Sequence, residues 1–290
     1  MRRRACKAFS MVELLVVIGI IGILISMLLP TLVAVQERAR LLKCTNTLRN
    51  IGMGAQIHGN DHLGYLQVAG WHWSPQGGVC NPRGLLDENA RRYTYYSDNG
   101  VQRPAPFTVA IAASLGVKIR LDSRQSLEQD MQGDAICRHF RCPSQEEVRR
   151  GFTQREDGPG NWTAPEDVSS YVFNEAILGL REREPWRNPM PLGKLTVVRR
   201  PEVVLLAMDG CPRDRGKDRW LVFPDIGPDD TIADFMETAN RPDSVWGHEI
   251  LDYPRHNYRA NVLFVDGHIA TVLLLPSDLA KIGISKGVYR

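Results

Sequence analysis

Charge is all but missing from a long stretch near the start of this chain. From Phe9 to Val35 it reads FSMVELLVVIGIIGILISMLLPTLVAV, 27 residues with a single ionisable side chain, Glu13. Several signatures are missing as well. No G-x-S-x-G element, P-loop or HExxH motif occurs, so none of these three patterns points to catalysis. His72, Asp87 and Ser97 fall in one region, but nothing marks them as a triad. No basic stripe interleaved with aromatics is present, which argues against a nucleic-acid partner. There is no internal repeat and no low-complexity tract. The chain is expected not to be an enzyme.

The apolar run has its own logic. Leu14 to Val35 is 22 residues, almost all apolar. As a helix it would rise roughly 33 Å, close to the ~30 Å hydrocarbon core of a bilayer. A cleavable secretory signal is shorter and leaves through a small-x-small site, which SMLLPTLVAVQ lacks. Arg2, Arg3, Arg4 and Lys7 precede the run, so the positive-inside rule holds the N-terminus in the cytoplasm and sends the rest across. Pro30 is tolerated in such a helix, with a kink expected near it. The plainest reading is a single-pass anchor. A carboxylate at the edge of such a span is costly, however, and Glu13 needs a reason.

The order of residues supplies one. A basic leader, MRRRACKA, ends in Ala8; Phe9 follows, then Glu13, then the run SMVELLVVIGIIGIL. This resembles the type IV prepilin signal. The resemblance implies a prepilin peptidase that cuts between Ala8 and Phe9, N-methylation of Phe9, and Glu13 as the fifth residue of the mature chain. The family usually has Gly before the cut, where this chain has Ala8. In a filament, Glu13 can meet the α-amine of a neighbouring Phe9 and fix the register between subunits, as a single buried polar group can. Four of the 36 basic side chains lie in the leader, so the chain after cleavage carries 32 against 33 acidic ones, a net −1.

Beyond Val35 the pattern turns amphipathic. Ala34, Leu41, Cys44, Leu48, Ile51 and Ala55 recur at spacings near three and four, with polar residues between them, as in a continuing helix. Gly52, Gly54 and Gly59 are expected to loosen its end near His58. The resulting organisation is a leader over 1–8, a pilin-type helix over 9–58 that is transmembrane to about 35, and an extracytoplasmic globular region over 59–290. The fold class is α+β and pilin-like: a long N-terminal helix packed on an antiparallel, β-rich domain.

Within that domain, residues 69–84 and 152–167 read as loops and 107–117 as a short helix. Ser144 reads as the cap of a short helix through Glu147. A strand starts 169–179, and VVLLAMD reads as a buried strand. In RHNYRANVLFVDGHIATVLLL (255–275) two strands flank Asp266-Gly267, a two-residue hairpin signal that favours positive φ at both positions. His256, nine further residues and Asp266-Gly267 resemble the H-x9-DG element of a large bacterial group of prepilin-like proteins. ERARLLKCTNTLRNIG (37–52) and FRCPS (140–144) look like the same group. That resemblance covers both ends of the chain better than its middle, and it implies a pseudopilin-like protein of a type II secretion or type IV pilus-type machine. Its implied partners are the prepilin peptidase, other pilin-like subunits and an inner-membrane assembly platform.

Cys6 lies in the leader. Cys44, Cys80, Cys137, Cys142 and Cys211 remain, an odd number. Outside the cytoplasm disulfides can form; Cys137–Cys142 and Cys44–Cys142 are both open, and one thiol must stay free or pair between chains. The spacing C-x4-C with one His is a poor match to a zinc site. His256, Asp266 and His268 form one candidate metal or acid/base set, although turn formation and backbone hydrogen bonds explain them more simply. Asp225, Asp229 and Asp230 form a candidate calcium loop, although a solvated acidic loop explains them too and their spacing is not that of an EF-hand. Otherwise no cofactor is expected. Trp71, Trp73, Trp162, Trp186, Trp220 and Trp246, with His72, could include a sugar-stacking face, but core or loop packing is the commoner use.

Two further readings stay open. One is a membrane-tethered glycan-binding or enzymatic domain that uses a prepilin-type signal. The other is a minor tip subunit, for which the large domain argues and Glu13 counts slightly against.

Overall fold

The computed structural model describes residues 11–66, 93–96, 102–105, 107–132, 136, 139–144, 151–155, 162–166, 169–174, 177, 194–210, 231–234, 256 and 258–284. The chain divides into two units, Met1–Leu42 and Lys43–Arg290.

Helix α1 runs from Met11 to Asp61. In the first unit its side chains are exposed at nearly every position, from Met11 and Val12 through Leu24 to Val35. Only two hydroxyls occur in this stretch, and both are satisfied within the helix: Ser26 Oγ donates to the Ile23 carbonyl at 2.7 Å and Thr31 Oγ1 to Leu28 at 2.8 Å. A helix with its polar groups closed on themselves is suited to hydrocarbon. The helix continues through Pro30.

In the second unit α1 becomes a core element. Cys44, Thr47, Leu48, Ile51, Gly52, Gly54, Ala55, His58 and Gly59 are buried, a stripe at helical spacing. The amphipathic pattern expected from the sequence therefore holds from Cys44 onward, whereas Ala34 is exposed and Leu41 only half-buried. The three glycines do not loosen the helix. They let the domain approach it: a Cβ on Gly52 would lie 3.0 Å from Leu263 Cδ1, and one on Gly54 would lie 2.7 Å from Ile111 Cγ2. Close packing gives back what glycine costs in helix propensity, so α1 extends three residues past the expected end.

Two short hairpins pair β1 (Thr94–Tyr96) with β2 (Gln102–Pro104) and β3 (Gly151–Arg155) with β4 (Trp162–Glu166). The second corrects the loop expected over 152–167. The turn-rich sequence Asp157-Gly158-Pro159-Gly160-Asn161 separates its strands and is a hairpin signal in its own right. Helix α2 (Phe107–Ser114) matches the predicted short helix, and α3 (Arg124–Gln132) follows it. The predicted loop at 69–84 and the predicted helix capped by Ser144 lie outside the described residues, save for Ser144 itself, which is in a turn.

The main sheet is antiparallel with the order β5 (Tyr171–Phe173), β6 (Leu205–Asp209), β7 (Arg259–Phe264) and β8 (Ile269–Leu273). The VVLLAMD strand prediction is met by β6, whose five residues are all buried. Both faces of the sheet are covered. Leu206, Ala207, Leu263 and Val265 join the core formed with Leu48, Ile51, Phe107 and Ile111. Leu205, Met208, Val262 and Phe264 join a second core closed by Leu279, Ile282 and Ile284, on and beyond the short helix α4 (Pro276–Leu279). A register shift between Leu205 and Ala207 lets two successive residues of β6 face the first core. The fold is α+β: a long N-terminal apolar helix and a small antiparallel sheet in a globular domain.

Candidate assembly site

Glu13 lies in the first turn of α1, at an exposed position, where a carboxylate also suits the positive end of the helix dipole. Ala8 and Phe9 lie outside the described residues, as do Asp225, Asp229 and Asp230. Just past that acidic stretch, Asp234 is already engaged: its Oδ2 accepts from the Thr231 amide at 2.8 Å and from Thr231 Oγ1 at 2.6 Å. Trp71, Trp73, Trp186, Trp220 and Trp246 lie outside the described residues, as do His72, Asp87 and Ser97, and of Trp162 only the strand position is described.

The structure separates His256 from Asp266 and His268. Strand β7 runs between them, so they do not converge as one ligand set. Each end of the segment instead fastens the strand to α1. At the Asp266 end the turn differs from the two-residue type expected. Gly267 N donates to the Phe264 carbonyl at 2.9 Å and Phe264 N to the His268 carbonyl at 3.0 Å. Gly267 has φ +91°, while Asp266 is not among the positive-φ residues. This is a three-residue loop, Val265-Asp266-Gly267, that ends in a left-handed glycine. Its backbone is held from outside, because Val265 N donates to the Val204 carbonyl and Asp266 N to that of Pro201. His268 stacks on Phe264 with centroids 4.2 Å apart, and its Nδ1 lies 2.6 Å from Asp266 Oδ1. Gln56 of α1 donates from Nε2 to the Asp266 carbonyl at 3.4 Å, in the space a Cβ on Gly267 would occupy.

At the other end, His256 is buried with φ +51°, and its Nε2 lies 3.4 Å from Cys142 Sγ. Cys142 is disulfide-bonded to Cys44 of α1, with Cα atoms 5.4 Å apart and 98 residues of separation. This decides between the two pairings left open by the sequence. Cys80, Cys137 and Cys211 lie outside the described residues. Between the two ends, Thr45 Oγ1 donates to Asn261 Oδ1 at 3.3 Å, and Asn261 N donates to the buried Asp209 Oδ2 at 2.7 Å. The segment from Cys44 to Gln56 therefore runs alongside His256–Gly267 in the same direction, joined at both ends and in the middle. The juxtaposition of His256 with Cys142 was beyond sequence reasoning, since nothing in a separation of 114 residues signals it. His58 and His62 were not singled out either, although their i, i+4 spacing on a helix was a signal. Their rings stack at 4.0 Å beside Tyr93, and both are buried.

Residues 3–29 match the family described as the prokaryotic N-terminal methylation motif. The start of the chain is a prepilin-type signal. No curated protein and no solved structure matches the chain. The matched stretch takes in most of the leader, Ala8, Phe9, Glu13 and most of the apolar run, and it supports a pilin- or pseudopilin-type substrate of a prepilin peptidase. Its helix, long and apolar enough to cross a bilayer, is the membrane anchor that such a signal accompanies.

Proposed function

We propose that this protein is a structural subunit of a type II secretion or type IV pilus-type filament. The chain enters the inner membrane with its N-terminus in the cytoplasm and its domain outside, as the basic leader directs. Prepilin peptidase cuts between Ala8 and Phe9, and Phe9 is N-methylated. An assembly platform then moves the apolar helix from lipid into a bundle of like helices, where the Glu13 carboxylate pairs with the α-amine of a neighbouring Phe9. The role is mechanical, without catalysis, and requires no cofactor. The C-terminal H-x9-DG segment fits a pseudopilin-like subunit of the same kind.

The observation that carries this reading is the extent of the methylation motif. It covers most of the leader, the cut position, Glu13 and most of the apolar run as one unit over residues 3–29. Mass spectrometry of the N-terminal peptide of protein extracted from the cell envelope tests it. The expected chain begins at N-methyl-Phe9. A chain that still begins at Met1 would make the protein an ordinary signal-anchor protein, and a tethered binding or enzymatic domain would then be the better reading.

A further inference from the structure

The disulfide and His256 form a cluster that the filament role does not use. Cys44, Cys142 and His256 are all buried, at 0%, 0% and 4% exposure, and one ligand atom from each lies within 4.8 Å of the others. They come from three distant parts of the chain: α1, the segment after α3, and the residues before β7. His256 holds its place with a left-handed backbone, φ +51°, a conformation that is unfavourable for a non-glycine residue. Such a conformation persists where the surroundings over-determine it, and it often marks a functional position.

We propose that, before its disulfide closes, this cluster is a Cys2His site for a thiophilic cation of the zinc or copper(I) class. The donor set is the first argument. Two thiolates and an imidazole select soft and borderline ions over calcium or magnesium. Geometry is the second. Zn–S near 2.3 Å and Zn–N near 2.0–2.1 Å at a tetrahedral angle place sulfur and nitrogen about 3.5 Å apart. His256 Nε2 already stands 3.4 Å from Cys142 Sγ and Cys44 Sγ lies within 4.8 Å of both, so the site forms once the two sulfurs separate and Cys44 adjusts by about an ångström or less. Timing is the third. A newly made chain carries thiols, so the site needs no reductant. Binding of a divalent ion by two thiols and a neutral imidazole releases two protons and leaves two thiolate–metal bonds. Later oxidation by a disulfide oxidant forms the Cys44–Cys142 bond, reduces that oxidant to two thiols with two protons taken back from solvent, and expels the ion. The two states exclude each other but close the same 98-residue separation, so the ion would hold the fold until the covalent bond replaces it.

The test uses the full chain in detergent with Cys6, Cys80, Cys137 and Cys211 replaced by Ser. It is reduced with a phosphine under argon, freed of reductant, and titrated with Zn(II) and, separately, Cu(I) against chromophoric chelators. Co(II) serves as a spectroscopic stand-in. The expected result is equimolar binding of at least one of the two ions by the reduced chain, with thiolate-to-cobalt bands, and release on adding oxidised glutathione. The oxidised chain should bind none. His256→Gln, checked for native circular dichroism in its oxidised form, should bind at least about tenfold more weakly. X-ray absorption on the unsubstituted-histidine protein should count two sulfurs and an imidazole, which keeps the test independent of how the variant folds. Absence of stoichiometric binding, binding that survives Cys142→Ser, or a coordination sphere without sulfur or imidazole overturns the proposal. None of these outcomes bears on whether the chain begins at N-methyl-Phe9.

Discussion

At the scale of single residues, the helix glycines face different neighbours, and their substitutions should separate accordingly. An alanine at 54 gains about 1 kcal/mol of helix propensity. It must also displace Ile111 Cγ2 at 2.7 Å, with the Ile111 carbonyl oxygen behind it at 3.2 Å. A β-branched methyl and a backbone atom give way poorly, and overpacking of this kind costs about 1–3 kcal/mol, so Gly54→Ala should destabilise the domain. Gly52→Ala meets only the end of the Leu263 side chain, Cδ1 at 3.0 Å and Cδ2 at 3.5 Å, and should be close to neutral. Urea midpoints of the two variants, measured side by side, check the ordering; equal midpoints would remove the close-approach explanation. A second residue-scale prediction concerns pH. Burial acts to raise the Asp130 pKa, but hydrogen bonds from Arg120, including 2.7 Å from both its amide and its guanidinium, outweigh it and hold the carboxyl below its ordinary value. A depressed folded-state pKa contributes stability above the unfolded value, and that contribution is lost as pH falls through the folded one. Because Arg120 is solvated, the gain is under about 1 kcal/mol. Asp130→Asn should therefore lower the urea midpoint slightly at neutral pH, and the difference from wild type should shrink towards about pH 3. A gap that widens on acidification would reverse the assignment.

At the scale of elements, what could be read from the sequence was whatever has a local period or a local turn. The apolar run, the stripe from Cys44 to Ala55, the buried strand β6 and the β7–β8 hairpin all announce themselves within a dozen residues. The helix end was misplaced because glycine reads as a breaker when its packing partner, Ile111, is far away in sequence. The three-residue turn was misassigned because the backbone of Val265 and Asp266 is held by Val204 and Pro201, which no local rule sees. The disulfide lies at the same boundary: the cysteines were visible, their partners were not. Its energetic consequence follows from loop length. Tying a loop of about 100 residues removes roughly 4–5 kcal/mol of unfolded-state entropy in the simplest account, and loss of a native bridge in a secreted domain typically costs about 2–5 kcal/mol. Replacing Cys44 and Cys142 by Ser should lower the unfolding free energy by that amount, and a non-reducing peptide map of the parent should join the peptides that contain them. A map that joins Cys137 to Cys142 instead would refute the pairing and, with it, the anchoring of β7 to α1 through His256.

At the scale of the whole molecule, the two units ask for different surroundings. Residues of the second unit bury their apolar side chains in two cores, whereas Leu15, Ile18, Leu24 and Leu28 in the first unit are each more than half exposed. A run of that length cannot stay in water, so its stable partners are lipid or other helices of its kind. Glu13 distinguishes the two. In lipid a carboxylate is costly wherever it is charged, and in a helix bundle it is tolerated only with a cation beside it. If the α-amine of a neighbouring Phe9 is that cation, Glu13→Ala leaves the cut between Ala8 and Phe9 intact but strands the amine in an apolar bundle. Breaking a buried pair on one side costs about 3–5 kcal/mol, and tenfold in an equilibrium is about 1.4 kcal/mol, so incorporation should fall at least tenfold. Glu13→Gln keeps the shape and loses the charge, and it should be nearly as defective. The measurement is the fraction of each variant in the assembled, membrane-detached material when it is co-expressed with tagged wild-type chain, with N-terminal sequencing to confirm cleavage. Cleaved Glu13→Ala that enters assemblies as well as wild type would show that packing of the apolar helices sets the register by itself and that Glu13 has some other use.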